Sequence, residues 1–526
     1  MRLAGKTRLR PWVLALAALA TTVAATVATA GPTLGAKQGA RPNIILVVTD
    51  DQTLAAFNGR TMPYTVGAVA GAGTTFNNTV AVTPLCCPSR AAMITGQYGH
   101  NNGIVNNKPG YPALVDKQNV LPAWLQAAGY HTAHVGRYLN EYPNGKQTKP
   151  APGWDEWITA LEPRRYLSYD LQVNRKTVEF GKKATDYVTR VFNSRAVQVI
   201  RKQAPKPAPL YLQLDQFAPH AGPGTAKGPC AGRDVPDPDP ADYAQFANEP
   251  LPTPPSFNEE DISDKPSFVR KVPPLTEKNL AAITQRYRCA LASLVAVDRG
   301  MAAIDAALAQ AGELDNTVVM FMSDNGFFNG EHRLPREKIR PYEEGLRIPL
   351  AMRVPPGALG TPAVSSVDDL VANIDIAPTI LELAGTTPCL APDRCRVMDG
   401  RSLVPLLLGQ GGWPADRGLA IEFKTADEKF NTSSSCEYHG IRTPTQLYVE
   451  HVSIPNVATG LCEAGDEREH YDLVADPFEL QNLYPANSAS PSGVAQAQLA
   501  ERAGRLSNCA GIEGRDPAPA SGNYCQ

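Results

Sequence analysis

The chain has 526 residues, of which 43% are hydrophobic and 19% charged, and this globular composition excludes wholesale disorder. The formal net charge is −2 and no block of basic residues appears, so the composition gives no reason to expect nucleic-acid binding. The length exceeds that of one ordinary hydrophobic core, which predicts a large domain with a smaller companion.

Residues 1–30 have the pattern of a secretory signal peptide. Basic residues between Arg2 and Arg10 precede a run rich in Ala, Leu and Val, and Ala28-Thr29-Ala30 fits the small-residue cleavage pattern. The alternative is an uncleaved membrane anchor, but the run is rich in Ala and Thr and short for a membrane span. We therefore expect cleavage near Ala30 and a secreted, extracellular protein without stable membrane insertion.

The elements that follow alternate buried strands and helices. Residues 43–49 (NIILVVT) form a continuous apolar run, which is typical of a strand buried on both faces of a parallel sheet. In chain order, the further predicted elements are a helix over 121–130, strands over 131–136 and 209–215, a helix over 277–311, a strand over 317–322 and a helix over 368–384. This alternation predicts an α/β fold with a mostly parallel sheet and helices on both faces.

Two regions break the alternation. Residues 219–274 contain 13 prolines and little periodicity, which favours a functional lid beside the site or a disordered insert over an ordinary connector. After about residue 386 the chain has short strand-like pieces, turns and six of its ten cysteines. We therefore predict a catalytic domain over 41–385 and a smaller C-terminal domain over 386–526.

The cysteines are interpreted as disulfides, because an exported chain folds in an oxidising compartment. Adjacent cysteines such as Cys86 and Cys87 rarely meet the geometry that a disulfide requires, and we predict that Cys87 is unpaired and buried. The other eight are expected to pair as sequence neighbours, although spacing alone does not fix the connectivity. The expected pairs are Cys230–Cys289, Cys389–Cys395, Cys436–Cys462 and Cys509–Cys525.

Two pairs of oxygen-bearing side chains follow predicted strands. Asp50-Asp51 comes after the first strand and Asp324-Asn325 after the strand over 317–322. In open α/β sheets ligands bind at the carboxyl ends of the strands, and adjacent carboxylates repel unless a cation neutralises them. Singly, each pair fits an ordinary turn or helix cap. Together they predict a site for a hard divalent ion, Ca²⁺ or Mg²⁺, between which ligand identity does not decide.

The most specific segment runs from Thr83 to Gly96 and reads TPLCCPSRAAMITG. Its C-x-P-S-R, followed by A-x-M-x-T-G, resembles the signature of formylglycine-dependent (type I) sulfatases. The resemblance extends from Asn43 to about Leu483, and the doubled Cys-Cys, GRYLNEY and the SDNG…GEH order are most similar to the N-acetylglucosamine-6-sulfatase branch. It implies an alkaline-phosphatase-like fold, with a large mixed sheet flanked by helices and a smaller C-terminal α+β domain that carries an antiparallel sheet.

The resemblance also implies roles for individual residues. Cys86 would be converted to formylglycine by a separate formylglycine-generating enzyme, and the hydrated aldehyde would supply the nucleophilic oxygen. Arg90 would hold that group, while His220 and Lys338 would lie near the scissile oxygen. The implied catalytic residues are Cys86, Arg90, His220, Lys338 and Arg137, the implied substrate-binding residues Arg137, His332 and Lys338, and the implied metal ligands Asp50, Asp51, Cys86, Asp324 and Asn325.

Two of these positions, Arg137 and His332, differ from the others in what the sequence implies for them. The branch usually has GKYLN where this chain has Gly136-Arg137-Tyr138-Leu139-Asn140, and a planar guanidinium does not replace an ammonium neutrally. Arg137 is still expected to bind sulfate, with altered geometry. His332, in GEHRLPREK, is expected to contact the substrate, with a merely hydrogen-bonded histidine as the alternative.

The expected function is hydrolysis of a sulfate monoester, on a sugar or an aryl group, by an exported sulfatase. One alternative is a phosphomonoester or phosphonate-ester hydrolase of the same superfamily, because the two esters are close in charge and shape. Another is an inactive protein that binds sulfated glycans, against which the presence of Cys86 and the metal-ligand candidates argues. The sequence spells out neither the exact substrate nor the oligomeric state.

Overall fold

A ten-stranded mixed sheet organises the fold in the computed structural model, which describes residues 41–142, 149–162, 164–223, 228–411, 413–425, 435–456, 458–484 and 490–526. The predicted signal peptide lies outside these residues. The sheet order is β11-β2-β10-β9-β1-β8-β4-β5-β6-β7, and two-stranded sheets β12-β3 and β13-β14 and a four-stranded sheet β15-β16-β17-β18 accompany it.

The strands have the following bounds: β1 Asn43–Thr49, β2 Thr74–Phe76, β3 Thr79–Val80, β4 His131–Gly136, β5 Glu156–Ala160, β6 Tyr169–Val173, β7 Lys176–Phe180, β8 Leu210–Asp215, β9 Thr317–Ser323, β10 Leu350–Arg353, β11 Ser366–Val367, β12 Val371–Ala372, β13 Cys389–Ala391, β14 Arg394–Cys395, β15 Leu419–Lys424, β16 Glu437–Arg442, β17 Gln446–Asn456 and β18 Leu461–Asp472. The α-helices are α1 Pro63–Thr65, α2 Cys86–Thr95, α3 Gly99–Asn102, α4 Leu121–Ala127, α5 Val188–Gln203, α6 Ser267–Arg270, α7 Glu277–Gln310, α8 Glu343–Leu346, α9 Pro356–Leu359, α10 Ile376–Leu383, α11 Val404–Leu407 and α12 Gln496–Leu506.

The centre of the large sheet is parallel. Strands β9, β1, β8, β4 and β5 pair in that order in parallel, and β10 and β6 join antiparallel on either side. Every residue of β1 is buried, because helices cover both faces. Ile44, Leu46 and Val48 face a core that includes α2, α4 and α10, whereas Ile45 and Val47 face a core that includes α5 and α7. The predicted α/β class with a mostly parallel sheet is confirmed.

The C-terminal part contains the predicted antiparallel sheet. Its four strands pair antiparallel throughout, and Leu499, Ala503 and Leu506 of α12 share a core with Ile441 of β16 and Tyr448 of β17. The boundary between residues 385 and 386 stays a prediction. Among the described residues, no helix combines the length and the apolar character needed to cross a membrane.

The predicted elements agree with the structure except near residue 370. The prediction of a helix over 368–384 is wrong for its first half, since α10 begins at Ile376. Val371 and Ala372 instead pair in parallel with Thr79 and Val80, and the carboxylate of Asp375 accepts a hydrogen bond of 2.8 Å from the Ala372 amide. Tertiary pairing therefore overrides the helical periodicity of these residues.

The disulfide prediction is confirmed. The four bonds are Cys230–Cys289, Cys389–Cys395, Cys436–Cys462 and Cys509–Cys525. Cys86 and Cys87 are free and buried, as expected for Cys87. The first of the four bonds ties the proline-rich segment to α7.

We expect the bond from Cys230 to Cys289 to contribute more stability than that from Cys389 to Cys395. The two bonds close loops of 59 and 6 residues. Constraining the longer loop in the unfolded chain is worth about 4 kcal/mol, against about 2 kcal/mol for the shorter one. Urea unfolding of the two paired Cys→Ser variants would measure the difference. Equal losses in the free energy of unfolding would contradict the prediction.

Candidate active site

Four neighbouring parallel strands deliver the candidate residues to one edge of the large sheet. Asp324 follows β9, Asp50 follows β1, the loop to His220 follows β8 and Arg137 follows β4. Because the carboxyl ends of parallel strands lie together, these residues, distant in sequence, meet at one place. Cys86, the first residue of α2, completes the group.

The acidic residues form a buried cluster. One carboxylate oxygen from each of Asp50, Asp51 and Asp324 lies within 4.8 Å of the others. The Asp51 amide donates to Oδ1 of Asp324 at 3.1 Å, and Nδ2 of Asn325 donates to Oδ1 of Asp51 at 2.8 Å. Oδ1 of Asn325 is buried without a hydrogen-bond partner. Three carboxylates and an unpartnered amide oxygen suit a hard divalent cation.

Cys86 lies between this cluster and Lys338. Its Sγ is 3.5 Å from Oδ1 of Asp50 and 3.1 Å from Nζ of Lys338. Burial raises the pKa of the Cys86 thiol to about 12, although the neighbouring ammonium opposes that shift. The unmodified thiol is therefore uncharged near neutral pH and a weak nucleophile.

Three cations surround the carboxylates. Nε of Arg90 donates to Oδ2 of Asp324 at 2.8 Å, and a second nitrogen of the same guanidinium is 3.6 Å from Asp50. Arg137 contacts Asp50, and Lys338 contacts Asp51. These contacts place three positive charges against the acidic cluster, where an anionic ligand would need them.

Burial and neighbouring charges affect the cations differently. Burial, followed by repulsion from Arg164, lowers the pKa of Arg137 to about 9. Burial alone would also lower the pKa of Lys338, but attraction to acidic neighbours, Asp51 first, outweighs it and raises that pKa. Lys338 therefore keeps its proton firmly in this arrangement.

His220 faces the cluster from the loop after β8. Its Nδ1 donates to the Ala221 carbonyl at 2.7 Å, which leaves Nε2 facing Oδ2 of Asp51 at 3.8 Å. The ring stacks on Phe217, with centroids 5.2 Å apart. Burial, and then repulsion from Lys338 and Arg137, lowers the pKa of His220 well below its usual value.

A polar cavity of about 540 Å³ opens beside these residues. Its lining includes Arg137 and His220 together with Arg164, Arg233 and Asp234. The last two belong to the proline-rich segment, so this segment borders the site as a lid would. Its effect on substrate choice stays a prediction.

His332 is not part of the cluster. Its side chain is fully buried, and its ring contacts Glu259, Glu344 and Tyr342. The expectation that His332 binds the substrate needs correction for this reason, because its ring nitrogens face a separate group of carboxylates. The remaining candidate residues are brought together, and their individual roles stay predictions.

Sequence reasoning missed a carboxylate that supports Arg90. Asp215 ends β8, and its Oδ1 lies 3.1 Å from NH1 of Arg90 while Oδ2 lies 2.9 Å from Nε2 of His134. The sequence does contain a pattern that could have identified Asp215, namely an acidic residue at the end of a predicted buried strand. The same pattern identified Asp50 as a candidate. Asp215 is a positioning residue, since it fixes the guanidinium rather than facing the cavity.

Family models and related sequences match most of the chain. A model described as Sulfatase matches residues 42–386, and one described as N-sulphoglucosamine sulphohydrolase, C-terminal, matches residues 330–506. The N-acetylglucosamine-6-sulfatase of Homo sapiens is 27% identical over 518 residues, covering 91% of this chain and 86% of that protein. The extracellular sulfatase SULF-1 homologue of Drosophila melanogaster is 31% identical over 391 residues, or 71% of this chain.

The similarities differ in how much of each relative's length this chain covers. The chain spans 32% of the length of the Drosophila protein and 49% of the length of a Caenorhabditis elegans Sulf-1 homologue. The solved structure of BT4656, in complex with its substrate D-glucosamine-2-N,6-O-disulfate, aligns with a TM-score of 0.67 at 24% identity, covering 88% of this chain and 96% of that chain. This structural similarity shows that the two chains share a fold.

Proposed function

The chain belongs to the sulfatase family, and from that premise we propose that it hydrolyses sulfate monoesters. The observation that carries the proposal is the meeting of Cys86 with three buried carboxylates and three cations at one edge of the sheet. Such a site matches an ester whose charge must be neutralised on one side while a nucleophile approaches from another.

A divalent metal, Ca²⁺ or Mg²⁺, fits this site. Asp50, Asp51, Asp324 and Asn325, together with the modified Cys86, would hold it with oxygen ligands alone. When bound, the ion supplies positive charge toward the sulfate oxygens. The unpartnered Oδ1 of Asn325 supports this assignment, because a buried amide oxygen normally has a partner.

The modification at Cys86 would be formylglycine, installed by a separate generating enzyme. An aldehyde hydrate supplies an oxygen nucleophile where an uncharged thiol is weak. Arg90, fixed by Asp324 and Asp215, would orient this group. One hydroxyl of the hydrate would form a bond to sulfur as the bond between sulfur and the ester oxygen breaks, and the ester oxygen would take a proton from Nζ of Lys338, with His220 facing the same site. The other hydroxyl would then lose its proton and collapse to the aldehyde, which breaks the bond between carbon and the sulfated oxygen and releases sulfate.

The substrate we propose is a sulfated sugar, with the 6-sulfate of N-acetylglucosamine as the first candidate. One of the relatives that this chain matches over most of both lengths is the human N-acetylglucosamine-6-sulfatase. The cavity has basic and acidic lining residues, which suits a ligand with hydroxyl and sulfate groups. The four disulfides support an extracellular location.

Matched esters would test the proposed function. Turnover of an aryl sulfate, the corresponding aryl phosphate and a panel of sulfated monosaccharides should be measured with metal-loaded protein. We expect kcat/KM to be higher for the sulfate than for the phosphate, and highest for a 6-sulfated glucosamine. Preference for the phosphate would favour a phosphoester hydrolase, and glycan binding without any hydrolysis would favour an inactive binding protein.

Arg137 should act as a sulfate-binding cation. The side chain is buried, contacts Asp50 and lines the cavity. We expect Arg137→Ala to lower kcat/KM by roughly 10²-fold, because it removes a preorganised positive charge. Arg137→Lys, which restores the residue usual in the resembling branch, should retain much of the activity. Unaltered kinetics in the alanine variant would remove Arg137 from the site.

A further inference from the structure

A second group of potential metal ligands lies apart from the active-site cluster. It consists of His332, which follows β9 by nine residues, Glu344 in α8 and Glu479 in the segment after β18, and we name it the His–Glu cluster. One ligand atom from each residue lies within 4.8 Å of the other two, and Nε2 of His332 is 3.5 Å from Oε2 of Glu344.

One side-chain atom of each ligand is already held by a neighbour. Nδ1 of His332 lies 2.7 Å from Oε2 of Glu259, and since a carboxylate only accepts, Nδ1 carries the proton. Oε1 of Glu344 accepts from Oγ of Ser256 at 2.8 Å, and Oε2 of Glu479 accepts from the Glu343 amide at 2.9 Å. This leaves one atom of each ligand residue available.

The three available atoms are buried and unpartnered. Nε2 of His332, Oε2 of Glu344 and Oε1 of Glu479 have no hydrogen-bond partner. His332 and Glu479 are both 0% exposed. Nε2 of His332 and Oε2 of Glu344 face each other at 3.5 Å, whereas Oε1 of Glu479 forms neither a hydrogen bond nor an ion pair among the described residues. A buried polar atom without a partner is costly, so a ligand that all three atoms share would satisfy them at once.

The charges of the His–Glu cluster indicate a divalent cation. Lys265 pairs with Glu259 at 3.1 Å. Among the residues that the structure describes, neither lysine nor arginine forms an ion pair with Glu344 or Glu479. His332 is thus the one basic side chain that the described residues place against Glu344, and a divalent ion bound at these ligand atoms would balance the charge of both glutamates.

We propose that Nε2 of His332, Oε2 of Glu344 and Oε1 of Glu479 bind a divalent transition metal, for which Zn²⁺ is the best match. Imidazole nitrogen and carboxylate oxygen are both zinc ligands, with metal–ligand distances of about 2.0–2.2 Å. Tetrahedral ligands at that distance are separated by about 3.4 Å, close to the 3.5 Å between His332 and Glu344.

The contact between His332 and Glu259 supports this assignment. A metal-ligating histidine usually donates its other ring N–H to a carboxylate, which fixes the tautomer and presents a lone pair to the metal. The oxygen-only active-site cluster selects a hard ion instead, so the two sites would hold different metals. The metal in the His–Glu cluster would join α8 to the segment that carries Glu479, and would brace the loop that leads from His332 to Lys338.

Zinc binding to calcium-loaded protein tests this inference independently of any turnover. Transition metals are removed by a chelator, Ca²⁺ is restored, and Zn²⁺ is titrated against a chromogenic competitor. We expect one tight site per chain in the wild type. His332→Gln and Glu479→Gln should weaken Zn²⁺ binding by at least about 10²-fold, and Glu259→Gln by about 10–100-fold.

Two control variants locate the site. His439→Gln removes a histidine that pairs with Glu450 on the C-terminal sheet, and should bind Zn²⁺ as the wild type does. Asp324→Asn alters the active-site cluster, and should also keep the tight site. If His332→Gln fails to fold, a Zn²⁺-dependent rise in Tm that is present in the wild type and lost in Glu479→Gln supports the proposal. Absence of tight Zn²⁺ binding in the wild type, binding unchanged in Glu479→Gln, or loss of the tight site in Asp324→Asn would overturn it.

Discussion

Cys86→Ala is expected to abolish hydrolysis, with kcat lowered by at least about 10⁴-fold, while the chain still folds. Cys86 is the side chain that lies next to both Asp50 and Lys338, so its removal deletes the precursor of the nucleophile from the centre of the site. Steady-state kinetics on the best sulfate ester, together with the free energy of unfolding, would measure both effects.

Cys87→Ala is the matched control for that substitution. Cys87 is equally buried and also free, and its side chain belongs to the hydrophobic core on one face of the sheet. Its loss should reduce stability and leave most of the turnover per folded molecule. Equal loss of kcat in the two variants would show that the position of Cys86 carries no special role.

Asp324→Asn should lower both metal affinity and turnover, the latter by about 10³-fold. Its carboxylate accepts from the Asp51 amide and from Arg90, so neutralising it weakens the metal site and releases the guanidinium. Metal content by elemental analysis and kcat over a Ca²⁺ and Mg²⁺ titration would measure the change. Chelation of the wild type should have the same effect, and added metal should reverse it.

Asp298→Asn provides the comparison for Asp324→Asn. Asp298 is a buried carboxylate of α7 that accepts from the backbone amides of Tyr64 and Thr65, away from the site. Its neutralisation should lower stability without changing metal content. If Asp324→Asn retained full metal binding and full kcat, the acidic cluster would not be the metal site.

The helices and strands with a clear hydrophobic pattern were predictable from the sequence. The apolar run over 43–49 coincides with β1, and the helix predicted over 277–311 is observed as α7, Glu277–Gln310. Polar residues directly after such strands could also be identified from the sequence. The carboxyl end of a parallel strand is a common ligand-binding position, so a polar residue there is a site candidate. For this reason Asp50 and Asp324 could be predicted as metal-ligand candidates without any tertiary information, and that role stays a prediction.

The parts that failed depend on contacts between distant segments. His332 sits in a motif near Lys338, but its direction is set by Glu259 and Glu344, which no local pattern reveals. Residues 371–372 look helical in sequence and become a strand because residues 79–80 pair with them. Asp215 was overlooked because its function follows from its contact with Arg90, 125 positions earlier in the chain.

Mass spectrometry of the peptide that contains Cys86 tests the central claim most directly, when it is carried out on protein that is hydrolysing a sulfate ester. We predict an aldehyde in place of the thiol at Cys86 and an unmodified thiol at Cys87, with activity proportional to the modified fraction. Full sulfate-ester hydrolysis by protein whose Cys86 is entirely an unmodified thiol would contradict the account.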